Sequence, residues 1–337
     1  MRASATSSIA AASISASPSA SPSAAASAAA SGQLVPLTVS YSAVIGNVMP
    51  LWVAHDAGIF KKNGLDVNVT YINSSKGIPA LISGSEQVAD IGGAETLSAV
   101  AGGADLVTVA VDAPTYPFVL MAPASIKTVQ DLQGKNVGVS EPGSSSDIAT
   151  RVALEKEGLK PDQDVTILAV GSASERISAL SNGAIQAGLS FPPNTLQLEK
   201  QGFHTILDLA SLHLPAALSS TVLKRSYVEA HPDVVQKFVD SLVEGIAYAK
   251  QNKAEAVDVL GTYYKSDDKQ AMATTYDYFM SEVIPSLPYP KPEMYTNAQN
   301  ILGVQNAKVK AFDPAKMLDD SFVKKAAAQG LDKAAGR

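Results

Sequence analysis

From Pro36 onward the chain alternates short apolar runs with stretches of helical period, the pattern of an α/β fold. Leu37–Tyr41 and Leu65–Ile72 read as strands. Between them lie the polar loop Ser42–Met49 and a helix over Leu51–Asn63 that Gly64 closes. Further strands are predicted at Val88–Ile91, Leu106–Val111, Phe118–Met121, Asn136–Val139, Val165–Val170 and Ile185–Ser190. Ser144–Glu157, Glu175–Ser181 and Pro193–Lys200 read as helices, and Thr128–Leu132 as one helical turn. Beyond about Leu214 the pattern is mainly helical. Its clearest member, Pro232–Lys250, puts Val235, Phe238, Val239, Leu242, Val243 and Ile246 on one face. Pro232 sits in its first turn and Asp233 beside its positive end.

One short frame occurs twice. Ala80-Leu81-x-x-Gly84-x-x-Gln87 and Ala179-Leu180-x-x-Gly183-x-x-Gln186 stand 99 residues apart. Each copy is a helix end, a glycine turn and a short strand, followed by a loop of small or rigid residues: Gly92-Gly93-Ala94-Glu95-Thr96 in one, Phe191-Pro192-Pro193-Asn194 in the other. The recurrence predicts two similar α/β lobes. Ligands of open α/β sheets bind at loops beyond the carboxyl ends of the strands, so two facing lobes would make a cleft lined by both loops.

Composition narrows the chemistry. With 337 residues, 46% hydrophobic and 17% charged, the chain has material for about two domains and a sizeable core. A net charge of −6 without a basic block argues against a nucleic-acid partner. Cysteine is absent, which removes disulfides, thiolate metal sites and Cys nucleophiles. No two of the four histidines have ligand spacing, and no GxSxG, Walker-type or GxGxxG motif occurs. No cofactor and no metal site are implied. Residues 1–33 hold 13 Ala and 11 Ser with a single charge, Arg2, so they are expected to form a disordered tether. They lack the apolar core of an export signal. The expectation is an exported protein held outside the cell membrane, its export signal or a lipid-bearing Cys having stood upstream of Met1.

The segment Leu51-Trp52-Val53-Ala54-His55-Asp56-Ala57-Gly58-Ile59-Phe60-Lys61-Lys62-Asn63-Gly64-Leu65-Asp66-Val67 resembles the A-x-x-x-G-x-F-x-x-x-G-L-D-V opening of one family. That family is the solute-binding proteins of ABC importers, in the branch for sulfonates, taurine, nitrate and thiamine-pyrimidine precursors. Further matches follow in order: Gly84-x-x-Gln87-Val88-Ala89-Asp90-Ile91-Gly92, Asp131-Leu132-Gln133-Gly134-Lys135-Asn136-Val137-Gly138-Val139, Gly143-Ser144-Ser145-Ser146 and His231-Pro232-Asp233-Val234-Val235. Together they span roughly residues 36–260. The resemblance implies a two-lobe periplasmic-binding-protein fold of type II, with lobe one from about 36–121 plus 216–337 and lobe two from about 122–215. It also implies a monomer that hands a small solute to a membrane permease and its ATPase. The alternative is a stand-alone sensor or catalytic domain on the same fold. The related pyrimidine synthases depend on cysteines and iron, and this chain has no cysteine. Where the family often has an aromatic-Glu-Pro step, this chain reads Ser190-Phe191-Pro192-Pro193.

Candidate contacts each carry a plain structural reading as well. Ser144, Ser145 and Ser146 open a helix, where free N–H groups favour an anion, but Ser144-x-x-Asp147 is also a capping pattern. Gly93, Glu95 and Thr96 face the cleft from the lobe-one loop or simply start a helix. Phe191 is a ligand wall or a core residue, and Asn194 a contact or an N-cap. Ser42 and Asn47 are polar candidates in the first loop, and Asp112 stands at a strand end. Tyr263, Tyr264, Tyr276, Tyr278 and Phe279 are expected to pack helices. The cleft loops carry Glu95, Asp112 and Glu141 but no Arg or Lys apart from Lys76 further back. The expected solute is therefore larger than an inorganic oxyanion. It could be heterocyclic, amine-bearing or sulfonate-like, and is expected to be neutral, zwitterionic or nitrogen-bearing, with a donor group pointing at Glu95.

Overall fold

The computed structural model describes residues 33–333, so all but the last residue of the expected tether lies outside the described residues. The first run of elements is β1 (Val35–Tyr41), α1 (Met49–Asp56), α2 (Ile59–Lys62), β2 (Leu65–Tyr71), α3 (Ser74–Ser83), β3 (Val88–Ile91), α4 (Gly93–Ala101) and β4 (Leu106–Thr115). A second run follows: β5 (Val119–Pro123), β6 (Asn136–Val139), α5 (Ser145–Lys156), β7 (Thr166–Ala169), α6 (Ala173–Ser181), β8 (Ala187–Ser190), α7 (Asn194–Lys200) and β9 (Phe203–Asp208). The chain then returns through β10 (Pro215–Lys224). It ends in α8 (Arg225–Ala230), α9 (Pro232–Gln251), α10 (Lys253–Tyr264), α11 (Lys269–Glu282), α12 (Thr296–Gly303), α13 (Ala307–Ala311) and α14 (Ser321–Ala328).

Two five-stranded sheets result, ordered β2-β1-β3-β10-β4 and β7-β6-β8-β5-β9. They are built to one plan. In the first, β1 pairs in parallel with β2 and β3; in the second, β6 pairs in parallel with β7 and β8. The fourth strand of each sheet is antiparallel, β10 beside β3 and β5 beside β8, and β10 returns to the first sheet only after the chain has passed through the second. The chain thus crosses between lobes twice.

The repeated frame has a physical cause. Gly84 and Gly183 both sit at φ +78°, a left-handed turn that disfavours any residue with a Cβ. The turn brings Gln87 alongside β1 and Gln186 alongside β6, the strand of each sheet that has a parallel neighbour on both sides. Thr38 N–H donates to Gln87 Oε1 at 2.9 Å, and Asn136 N–H donates to Gln186 Oε1 at 3.1 Å. In each copy the glutamine's own N–H donates back to the carbonyl of the same strand residue. Leu81 and Leu180 anchor the preceding helices in the core.

Three expectations change. The helix expected over Leu51–Asn63 begins earlier and breaks at Ala57–Gly58 into α1 and α2. Val119–Met121 pair with β8 and β9, so the first crossing lies before residue 121 rather than after it. Most consequentially, β10 was not foreseen. It is a central strand, yet it reads Leu218-Ser219-Ser220-Thr221 where a doubly buried strand usually shows Val or Ile. Those hydroxyl residues are all buried, because Ser219 and Thr221 turn their oxygens to buried carboxyls on β3 and β4.

The core of the first lobe is closed by α9. Its apolar face buries Val235, Phe238, Leu242 and Ile246, and Phe238 stacks on Phe60 at 5.3 Å. Trp52 on α1 is fully buried and stacks on Tyr263 of α10 at 4.4 Å with ring planes 8° apart.

Candidate functional site

A cavity of about 550 Å³ lies between the two sheets. Its walls are the segments that follow the carboxyl ends of six parallel strands, three per lobe. The first lobe gives Ser42–Asn47 after β1, Asn73 and Ser74 after β2, and Gly92 and Glu95 after β3. The second gives Ser140–Ser146 after β6, Gly171–Arg176 after β7, and Phe191 and Asn194 after β8.

Of the sequence candidates, Ser42, Asn47, Glu95, Ser144, Ser145, Ser146, Phe191 and Asn194 line this cavity. Gly93, Thr96 and Asp112 do not. Gly93 is packed against Ala217 and Tyr295 behind the wall. Thr96 is fully buried one turn into α4, its hydroxyl donating to the Gly92 carbonyl at 3.0 Å. Asp112 sits within β4, behind Asp90. Asn194 is the first helical residue of α7 rather than its cap, which is Pro193. Asn47 is almost fully buried, and neither its Oδ1 nor its Nδ2 has a partner among the described residues. An amide of this kind presents both a donor and an acceptor at the cavity wall.

The serine turn is used twice over. Ser144 caps α5 by accepting from Asp147 N–H at 3.3 Å, and Ser146 Oγ accepts from Ser140 N–H at 2.9 Å. Across the cleft, Ser145 donates to Glu95 from its N–H (3.4 Å) and its hydroxyl (3.1 Å). The Glu95 carboxylate therefore occupies the positive end of α5, where the sequence reading would seat an external anion. Burial raises its pKa. Gly92 permits this approach, since a Cβ there would meet both the Glu95 carboxylate and the Ser145 hydroxyl. A second bridge joins the lobes nearby, with Ser74 Oγ donating to Glu141 Oε1 at 3.3 Å. The donor group expected to bind Glu95 finds that residue already engaged by the other lobe.

Asp90 was not singled out from the sequence, yet it lines the cavity at the end of β3. It accepts a hydrogen bond from Ser219 and lies within hydrogen-bonding reach of Asp112, which accepts from Thr221 at 3.5 Å. Burial pushes Asp90 up to about 7, although hydrogen bonds from Ser219 and Asp112 favour its charged form, and burial together with the neighbouring Asp90 holds Asp112 well above the ordinary carboxylate range. The pair holds at least one proton near neutral pH.

The expectation that the cleft lacks cations apart from Lys76 is corrected by Arg176 and Lys265, both of which line it. Arg176 escaped notice because it lies in the first turn of α6, not in the preceding loop. Helical side chains lean toward the helix N-terminus, and this one leans to the cavity. Tyr263 and Tyr264 were expected only to pack helices; they line the cavity as well, with Tyr71 and Phe118. Phe191 does both things, lining the cavity while packing on Phe118 at 6.0 Å and Phe279 at 6.4 Å. Among the described residues no group of three or more metal-ligating side chains is assembled.

Comparison with known proteins agrees with this geometry. A Brucella abortus protein described as a binding protein is 26% identical over 69% of this chain and 73% of its own length. The riboflavin-binding protein RibY of Chloroflexus aurantiacus is 24% identical over 67% of this chain and 65% of its own. The fold matches that of the periplasmic aliphatic sulphonate binding protein SsuA from Escherichia coli, with a TM-score of 0.70 and 21% identity over 86% of this chain and 99% of that one. The family model described as NMT1/THI5 like matches residues 45–256, well over half the chain, and the protein belongs to that family.

Proposed function

We propose that this protein is the extracytoplasmic solute-binding component of an ABC importer, working as a monomer that takes up a small organic molecule and presents it to a membrane permease and its ATPase. The observation that carries this reading is the cavity itself: both lobes line it, and only two chain crossings join those lobes. A solute touching both walls favours the closed arrangement over the open one by its differential contacts, which is the physical basis of capture and release. The binding-protein names of its relatives support the same role. A volume of about 550 Å³ with several aromatic walls suits an organic body rather than a bare nitrate or sulfate.

Thermal unfolding in the presence of a metabolite panel tests this, with small-angle scattering on each hit. A true solute at about 100 Kd adds ~2.7 kcal/mol, which raises Tm by several degrees in a protein of this size. It should also reduce the radius of gyration. Turnover of a stabilising compound into a product would move the protein to the catalytic alternative on the same fold.

A further inference from the structure

We propose that Arg176 is the seat for an acidic group on the bound solute, and that the rest of that solute is an apolar ring or chain lying against Phe118, Phe191 and Tyr263. This rests on the solute-binding reading and adds a charge and an orientation to it.

Arg176 is only 4% exposed and lines the cavity from the second lobe. Nε donates to the Leu189 carbonyl at 3.3 Å and Nη1 to Ser140 Oγ at 2.8 Å, which fixes the plane of the group. Among the described residues no carboxylate stands within ion-pair distance of it, although the other buried-side arginine, Arg151, has two, Asp147 and Asp162. Burying a charge without a counter-charge is costly unless something completes it. Burial alone pulls this guanidinium down to about 10, so it stays protonated at neutral pH.

The competing seats in the second lobe are already filled by the chain. The α5 terminus is capped by Ser144 and receives Glu95 from across the cleft. The α6 terminus is closed by a reciprocal pair in which Ser172 Oγ accepts from Glu175 N–H and Glu175 accepts from Ser172 N–H. An arriving anion would meet carboxylates at both ends. Arg176 is the positive group in that wall whose charge is not answered, and its planar fork suits a carboxylate, sulfonate or phosphate alike.

Matched probes test this on the full chain. Benzoate, phenylacetate, indole-3-acetate and benzenesulfonate are each compared with their carboxamide or sulfonamide by thermal shift and calorimetry. Acids should bind about tenfold or more tighter than their neutral isosteres. Arg176→Gln should remove that preference and Arg176→Lys should keep part of it, with far-UV circular dichroism confirming that both variants fold. The wild-type comparison stands even if a variant fails to fold. Equal binding of acids and amides, or no binding by any of the acids, overturns the Arg176 seat. If neutral or cationic compounds of the metabolite panel still bind and compact the protein, solute binding stands while this assignment falls.

Discussion

Replacing Asp112 with asparagine is expected to flatten the dependence of stability on pH. Asp90 and Asp112 are buried side by side and keep a proton that the unfolded chain gives up. In the unfolded chain both titrate near ~3.9. Because their folded pKa values are raised, the pair's contribution is full at the acid end and is lost as pH rises. For Asp90 the window runs from about pH 4 to about 7. Each pH unit within it removes ~1.4 kcal/mol per retained proton, a ceiling of about 4 kcal/mol across the window. Asparagine at 112 keeps the shape, takes away the proton that Asp112 retains, and leaves an N–H donor for Asp90 in place of the Asp112 hydroxyl. Urea unfolding of wild type and variant, followed by circular dichroism at steps from about pH 5 to 8, measures both slopes. The wild type should lose stability steadily toward neutral pH, and the variant, which keeps only the Asp90 contribution, less steeply. At roughly 2–4 °C per kcal/mol the difference is also visible in Tm. A wild-type curve that is flat or rises over this range, or a variant with the wild-type slope, refutes the shared proton.

Gln87→Leu and Gln186→Leu should each destabilise by ~1–3 kcal/mol, since each leaves a strand N–H without its acceptor. Similar losses in denaturant melts are expected at both sites, and a loss at only one would show that the two frames do not do the same work. Gly92→Ala pushes a methyl group into the Glu95–Ser145 bridge. It should lower Tm and enlarge the solute-free radius of gyration in small-angle scattering, while an unchanged particle would mean that the bridge does not hold the lobes together.

What could be read from the sequence was local. The frame ending in Gln87 and Gln186 was legible because its parts lie within eight residues of one another and the turn demands glycine. The loops carrying Ser42, Glu95, Ser144 and Phe191 were legible because they follow strands with clear apolar runs. The strand β10 was not, because its hydroxyl residues make sense only once Asp90 and Asp112 are seen on either side of it. Those two carboxyls are far from it in sequence and meet through a long-range antiparallel pairing that no periodicity announces. Arg176 was not legible for a different reason: it lies inside a helix by its sequence context, and only the fold brings its guanidinium to Ser140 and Leu189 at the cavity wall. Tyr263 shows the same limit, since stacking on Trp52 and facing a solute are not exclusive.

The late return of β10 sets an order in which the chain can be completed as it leaves the ribosome. The sheet of β5 to β9 is drawn entirely from residues 119–208, so all of its strands are available once that stretch has emerged. The other sheet, although begun first, has a gap: β4 pairs only with β10, and β10 is not made until residues 215–224. The N-terminal lobe is therefore the later of the two to close, and until it does, β3 and β4 present open edges of the kind that pair with other chains. A chain arranged this way benefits from staying unpaired at those edges until its synthesis has passed β10.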